Sequence, residues 1–153
     1  MKSRERLAVL GLAVSMLGLA GCGKPVTAGG DPIVGAWIVK DSAAPFPYHM
    51  YVFNADGTVQ QANPDAGDPH ASDSDGKGVW VGDHGAIKGK WVEITADRAT
   101  HKFTGRAEIS FNVKVTGDTF AGAESARMFD ADGTLTDGPT PPGPFTGRRV
   151  TLP

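Results

Sequence analysis

The sequence predicts an all-β domain, a small antiparallel up-and-down barrel of about eight strands, behind an N-terminal signal helix and a flexible tether. Three observations predict it. Beyond position 33, apolar residues come in short runs of period two, the spacing of a strand with one face in a core. Turn residues break these runs throughout, with 21 Gly and 11 Pro in 153 residues, and leave no stretch with a defensible helical period. The runs are mostly joined by short connections, which is how a strand meander reads in sequence. A two-sheet sandwich fits the same pattern. A barrel is favoured because closure removes exposed edges from a lone exported domain.

The first element is the signal. Lys2, Arg4 and Arg6 stand against Glu5 as a basic start, and residues 7–19 carry no charge. A basic start, an apolar middle and small residues at the end are the plan of an export signal. The apolar stretch is shorter than the ~20 residues a spanning helix needs. It closes on Leu19-Ala20-Gly21-Cys22, which holds the only cysteine of the chain. This segment resembles bacterial lipoprotein signals, whose lipobox has Leu, two small residues and Cys. The resemblance implies cleavage before Cys22, diacylglyceryl transfer to its sulfur, and acylation of the new amine by a fatty acid such as palmitate. Several acyl chains hold a protein stably, where one holds it only marginally. Gly23 in place of an Asp after the Cys implies the outer membrane in a Gram-negative cell. The expected division is therefore a signal peptide over 1–21, a lipidated Cys and tether over 22–32, and a barrel domain over 33–153.

The tether, residues 23–32, is rich in Gly and Pro and short in reach. A first strand is expected over 34–39 and a second over 48–53. Asn54-Ala55-Asp56-Gly57 then reads as a hairpin turn, with the return strand over 58–61. Residues 62–76 read as a long polar loop. Strands follow over 78–81, 86–87 and 90–95. The clearest spans 106–115, where Ala107, Ile109, Phe111, Val113 and Val115 alternate with polar residues. Another covers 119–129, the turn Asp130-Ala131-Asp132-Gly133 repeats the earlier one, and a last strand runs over 147–152 after a rigid stretch at 138–144.

Gly35-Ala36-Trp37 on the first strand, with Arg148 or Arg149 on the last, resembles the calycin pattern. In lipocalins a Gly-x-Trp opens the first strand and an Arg near the chain end packs across the Trp to close the barrel floor. The resemblance implies that role for Trp37 with Arg148 or Arg149. The chain is shorter than a lipocalin and has neither a second lipocalin motif nor a C-terminal helix. Its layout is also similar to small secreted bacterial lipocalin-like domains, through Phe53 to Val59, Pro64-Asp65 and Gly78-Val79-Trp80.

The charge balance excludes one class. The chain carries 15 Lys and Arg against 17 Asp and Glu, a net −2; removing the net +2 of the signal leaves −4, without the basic face that nucleic acid requires. With Cys22 lipidated, no thiol remains for disulfides or for zinc. His49, His70, His84 and His101 show no metal-ligand spacing, and no nucleophile elbow is present. No cofactor, metal site or catalytic set is expected. Asp130 and Asp132 lack the third acid and distal Glu of a calcium loop. His70 with Asp68, Asp73 and Asp75 has the groups to bind a divalent cation, but a charge-rich loop of this kind reads first as solvated. Of three acids on strands, Glu93, Glu108 and Glu124, the last shares the apolar face of Phe120, Gly122, Ala126 and Met128. There it needs a partner: a ligand, or an arginine such as Arg148. A one-residue register shift would instead send it to solvent. Tyr48, Tyr51, Trp80 and Trp91 join Glu124 as candidate pocket residues, and Ala121-Gly122-Ala123 is expected to leave room inside. The function expected first is a membrane-anchored envelope lipoprotein that carries or senses a small apolar ligand. A protein-interaction module of the envelope comes next, and a small cyclase or isomerase last.

Overall fold

The computed structural model describes residues 30–42, 44, 46–64 and 68–153. The signal, with Leu19, Ala20, Gly21 and Cys22, and most of the tether lie outside the described residues. Ten strands follow in chain order: β1 (Gly35–Asp41), β2 (Tyr48–Phe53), β3 (Thr58–Ala62), β4 (Ala71–Asp73), β5 (Gly76–Asp83), β6 (Ala86–Asp97), β7 (Phe103–Thr116), β8 (Thr119–Asp130), β9 (Leu135–Asp137) and β10 (Gly143–Arg149). No helix occurs among the described residues.

The sheet runs β10-β1-β2-β3-β5-β6-β7-β8, and β10 pairs with β8 as well as with β1. It therefore closes into an eight-strand antiparallel up-and-down barrel, not an open sandwich. β4 pairs with β6 past the end reached by β5, and β9 pairs with β8 past the end reached by β10. Each of these short strands shares one barrel position with its longer neighbour. β4 falls inside the stretch expected to be loop: Ala71-Ser72-Asp73 has no apolar alternation, and it is a strand because Thr95, Ala96 and Asp97 offer it an edge. β6 is continuous where two pieces are expected, since Lys88 and Gly89 stay in register with Val81 and Trp80. β10 begins and ends earlier than expected, at Gly143 and Arg149.

The two echoing turns have the same geometry. Gly57 N–H donates to Asn54 O and Gly133 N–H to Asp130 O, both at 3.1 Å, with glycine φ values of 86° and 84°. Asp56 accepts from the backbone of Thr58, and Asp130 from the backbones of Asp132 and Thr134. These carboxylates shape turns.

Alternation sorts the barrel wall. Ala107, Ile109, Phe111, Val113 and Val115 of β7 are buried, and Arg106, Glu108, Ser110, Asn112 and Lys114 face out. Inside, rings from facing strands fill the lumen: Trp37 lies 5.1 Å from Phe120, Phe120 lies 5.5 Å from Phe145, and Phe53 lies 5.9 Å from Phe111. Most of these contacts are tilted or edge-on, the arrangement aromatic quadrupoles favour. The room expected beside Ala121-Gly122-Ala123 is not there. A methyl on Gly122 would stand 2.0 Å from Asn112 O, so the missing side chain is taken up by close approach of β7. This part of the barrel is a packed core, and any cavity must lie beyond it.

Candidate functional site

The barrel has two ends of different chemistry. One holds the start of β1, the β2–β3, β5–β6 and β7–β8 turns, and the end of β10. Here Ile33 is fully buried, positioned by a turn in which Val34 N–H donates to Asp31 O and Ile33 N–H to Asp31 Oδ1. Trp37 Nε1 donates to Ile33 O at 2.7 Å. The Arg149 guanidinium lies 4.3 Å from the centre of the Trp37 ring. Its Nη1 donates to Val34 O at 2.8 Å, its Nε to Asp118 Oδ1 at 3.0 Å, and its Nη2 to Pro32 O. Gly35 makes this possible. Its φ is 134°, and a methyl there would come within 2.9 Å of Arg149 Nη1. Of the two candidate arginines, parity decides which meets Trp37. Arg149 is the strand partner of Trp37 in the β1–β10 ladder. Arg148, one residue away, faces outward into a shallow groove of about 760 Å³ with Ile38, Lys40 and Tyr48.

The other end, the mouth, is framed by the end of β1, the start of β2, β4 with the end of β6, and the β8–β9 and β9–β10 connections. It contains a cavity of about 370 Å³. Its apolar wall includes Trp91, Ala107, Ile109 and Met128, with Phe46 from the β1–β2 loop. Its polar lining includes Asp41, His49, Asp73, Glu93 and Glu124. Trp91 and Glu93 come from β6, where alternation puts Ile87, Gly89, Trp91 and Glu93 on the inner side. Glu124 comes from β8, on the face of Phe120 and Ala126 as its parity requires.

Glu124 is the best-positioned polar group of the cavity. Trp91 Nε1 donates to Tyr51 Oη at 3.1 Å, and Tyr51 Oη donates to Glu124 Oε2 at 3.2 Å. The indole and phenol thus form a two-step donor chain ending on the carboxyl. Burial pushes the Glu124 pKa up to about 8, aided by a hydrogen bond with Asp41 and its charge and opposed by the Tyr51 bond. Asp41 is itself only 6% exposed, so two carboxyls share one half-dry corner. Such a pair holds a proton more readily than two separate acids. Burial also raises the Tyr51 pKa well above its usual value, and the neighbouring Glu124 charge adds to this. On β6, burial and the charge of Asp73 push Glu93 up to about 7. His49 Nδ1 accepts from Gln61 Nε2 at 3.1 Å, which puts the imidazole proton on the buried Nε2. Burial holds the His49 pKa below its usual value, against the raising effect of Asp41.

Of the five residues expected to line a pocket, the fold brings Tyr51, Trp91 and Glu124 together. Tyr48 is on the outer wall and 54% exposed, because three positions along a strand from Tyr51 is an odd step. Trp80 lies in the packed core toward the closed end, donating to Asn54 O and meeting Phe53 edge-on. The partner expected for Glu124 was a ligand or Arg148; the described partners are Tyr51 and Asp41. Glu108 is on the outer wall, bonded to Lys90 and Arg106. The acidic loop disperses: Asp68 accepts from His70 and Ala71 backbones, Asp75 pairs with Lys77, and Asp73 reaches the cavity rim. Of the four cavity carboxyls, only Glu124 was expected to line a pocket. Glu93 shares the parity of Trp91 and was legible from it. Asp41 sits just past the expected end of the first strand.

Comparison with protein-family models, with curated proteins and with solved structures returns no match.

Proposed function

We propose that this chain is a membrane-anchored, lipocalin-like envelope lipoprotein whose barrel mouth binds a small, largely apolar ligand. The observation that carries the reading is the cavity of about 370 Å³ at one end of a barrel that is otherwise filled. Small-molecule sites span ~300–1,000 Å³ and combine apolar walls with a few positioned polar groups. The Trp91–Tyr51–Glu124 chain supplies such a group, fixed before any ligand arrives. The lipobox-like segment supports an anchor at Cys22, and Gly23 after it supports the periplasmic face of an outer membrane in a Gram-negative cell. The molecule then acts by binding and holding, and it needs no cofactor and no nucleic acid.

The test is native mass spectrometry of the full chain purified from its membrane, followed by solvent extraction. A co-purifying small molecule is expected, and it should be lost in Ala126→Phe, which fills the cavity beside Ile109 and Met128 without adding a polar group. A protein that is empty in every preparation, and that takes up no apolar probe, would sink the reading. Anchoring is a separate test: Cys22→Ser should release the processed protein from the membrane, and unchanged membrane association would refute the lipid anchor.

A further inference from the structure

The charge of the mouth cavity narrows the ligand. Its lining holds four carboxyls, Asp41, Asp73, Glu93 and Glu124, and no Lys or Arg among the described residues. Four cations of the neighbouring wall are engaged outside the cavity. Lys90 and Arg106 bind Glu108 on the outer wall, and Lys40 and Arg148 line the outer groove. An anionic headgroup would therefore enter a half-buried space against charges of its own sign, with no cation to receive it.

The carboxyls are also placed at the end of an apolar surface. Glu124 accepts from Tyr51 below the wall formed by Trp91 and Ile109, and Glu93 makes neither hydrogen bond nor ion pair with any described residue. We propose that the mouth cavity is a site for a small organic cation, an amine whose protonated nitrogen is held by Glu124 and Asp41 while its hydrocarbon part lies along Trp91, Ile109 and Met128. The inference rests on the reading of the cavity as a ligand site and adds the charge of the ligand to it. In the empty site Glu124, buried and beside the Asp41 charge, keeps its proton up to about pH 8; in the complex the ammonium takes the place of that proton, which leaves to solvent. The charge count is conserved: one ammonium enters and one proton departs.

Binding is then linked to pH. The titratable groups of the cavity are Asp41 from β1, His49 from β2, Asp73 from β4 and Glu93 from β6, and Tyr51 of β2 donates to Glu124 from beneath it. β7 presents Ala107 and Ile109 there, and β10 presents Gly143. His49 is disfavoured as a cation by its burial, so the proton to be displaced beside the ammonium lies on Glu124.

The experiment uses three six-carbon probes, hexylamine, hexan-1-ol and hexanoate, titrated calorimetrically into the full chain in phosphatidylcholine vesicles, with empty vesicles subtracted. Hexylamine should bind at least about ten-fold more tightly than hexanol, a difference of ~1.4 kcal/mol, and hexanoate should not saturate. Raising the pH from about 6.5 to about 8.5 should tighten hexylamine roughly ten-fold and leave hexanol unchanged. The heat should vary with buffer ionisation enthalpy as one proton is released. Glu124→Gln should bring hexylamine down to the affinity of hexanol while hexanol still binds, which shows that the variant is folded. Hexanol or hexanoate binding as tightly as hexylamine would overturn the cation assignment and leave the ligand site standing. Failure of all three to saturate would overturn both.

Discussion

The two ends of the barrel are made by the same strands and the same alternation, yet they resolve their polar groups in opposite ways. At the closed end each charged or polar group meets its complement. Arg149 stacks on Trp37, donates to two backbone carbonyls and reaches Asp118, and the Trp37 indole is bonded to Ile33 O. At the mouth, acids face acids: Glu124 lies beside Asp41, and Glu93 near Asp73. One end is built to be shut and the other keeps an unbalanced charge in a half-dry cavity. The stabilising contacts and the candidate cavity are thus separated along the barrel axis, and the contrast can be tested from both sides.

The largest effects belong to the closed end. Trp37→Ala should cost about 3–5 kcal/mol, the range for removing a buried large aromatic. Arg149→Ala should cost about 2–4 kcal/mol, because it strips the stacking group and leaves the Val34 and Pro32 carbonyls without their donor. Arg149→Lys should recover little of this, since a point charge replaces a planar fork. Arg148→Ala is the matched control and should stay within about 0.5 kcal/mol. Urea denaturation of the four variants decides it; equal losses at positions 148 and 149 would erase the distinction between the ends.

The next effect belongs to the mouth and is read by pH. Glu124 and Glu93 have folded pKa values near 8 and near 7, above the ordinary carboxyl value of the unfolded chain. The folded protein therefore keeps protons that the unfolded chain has already lost. Stability is greatest near and below about pH 4.5 from these two groups, and falls as pH rises toward 8. The slope is at most about 1.4 kcal/mol per pH unit for each retained proton, reduced by solvent screening. Glu124→Gln should flatten the fall and make the variant the more stable protein near pH 8. Thermal melts across pH 5–8.5 measure both; a wild-type profile that rises or stays level would contradict the strained mouth.

The smallest effect lies on the outer wall, which belongs to neither end. Lys90→Ala removes the ion pair with Glu108, and Lys90 is about half exposed. The loss should be under about 1 kcal/mol and should shrink further in high salt. A larger loss, measured by urea denaturation, would mean that the outer wall is more than solvated surface.

Much of this was legible from residues alone, because local rules act over a few positions. Period two and turn residues placed the main strands, and the repeated Asp-Gly turns had the same geometry as each other. Parity put Glu124 indoors, and the same parity applied to Trp91 would have added Glu93. Parity also argued against pairing Tyr48 with Tyr51 on one face. β4 was invisible because its three residues carry no pattern, and only the edge of β6 makes them a strand.

By itself the sequence determined the all-β class, the inward or outward sense of most side chains, and the acidic balance, since each follows from nearest neighbours along the chain or from composition. Only the tertiary structure decided that β1 closes on β10, that Arg149 and not Arg148 lies over Trp37, and that Asp41 meets Glu124 from 83 positions away in the chain. It also decided that the rings fill one end while the other stays open. These are contacts across the barrel lumen. They depend on closure and register, which no local pattern carries, and it is there that a neutral-looking alternation becomes a plugged floor at one end and an acid-lined mouth at the other.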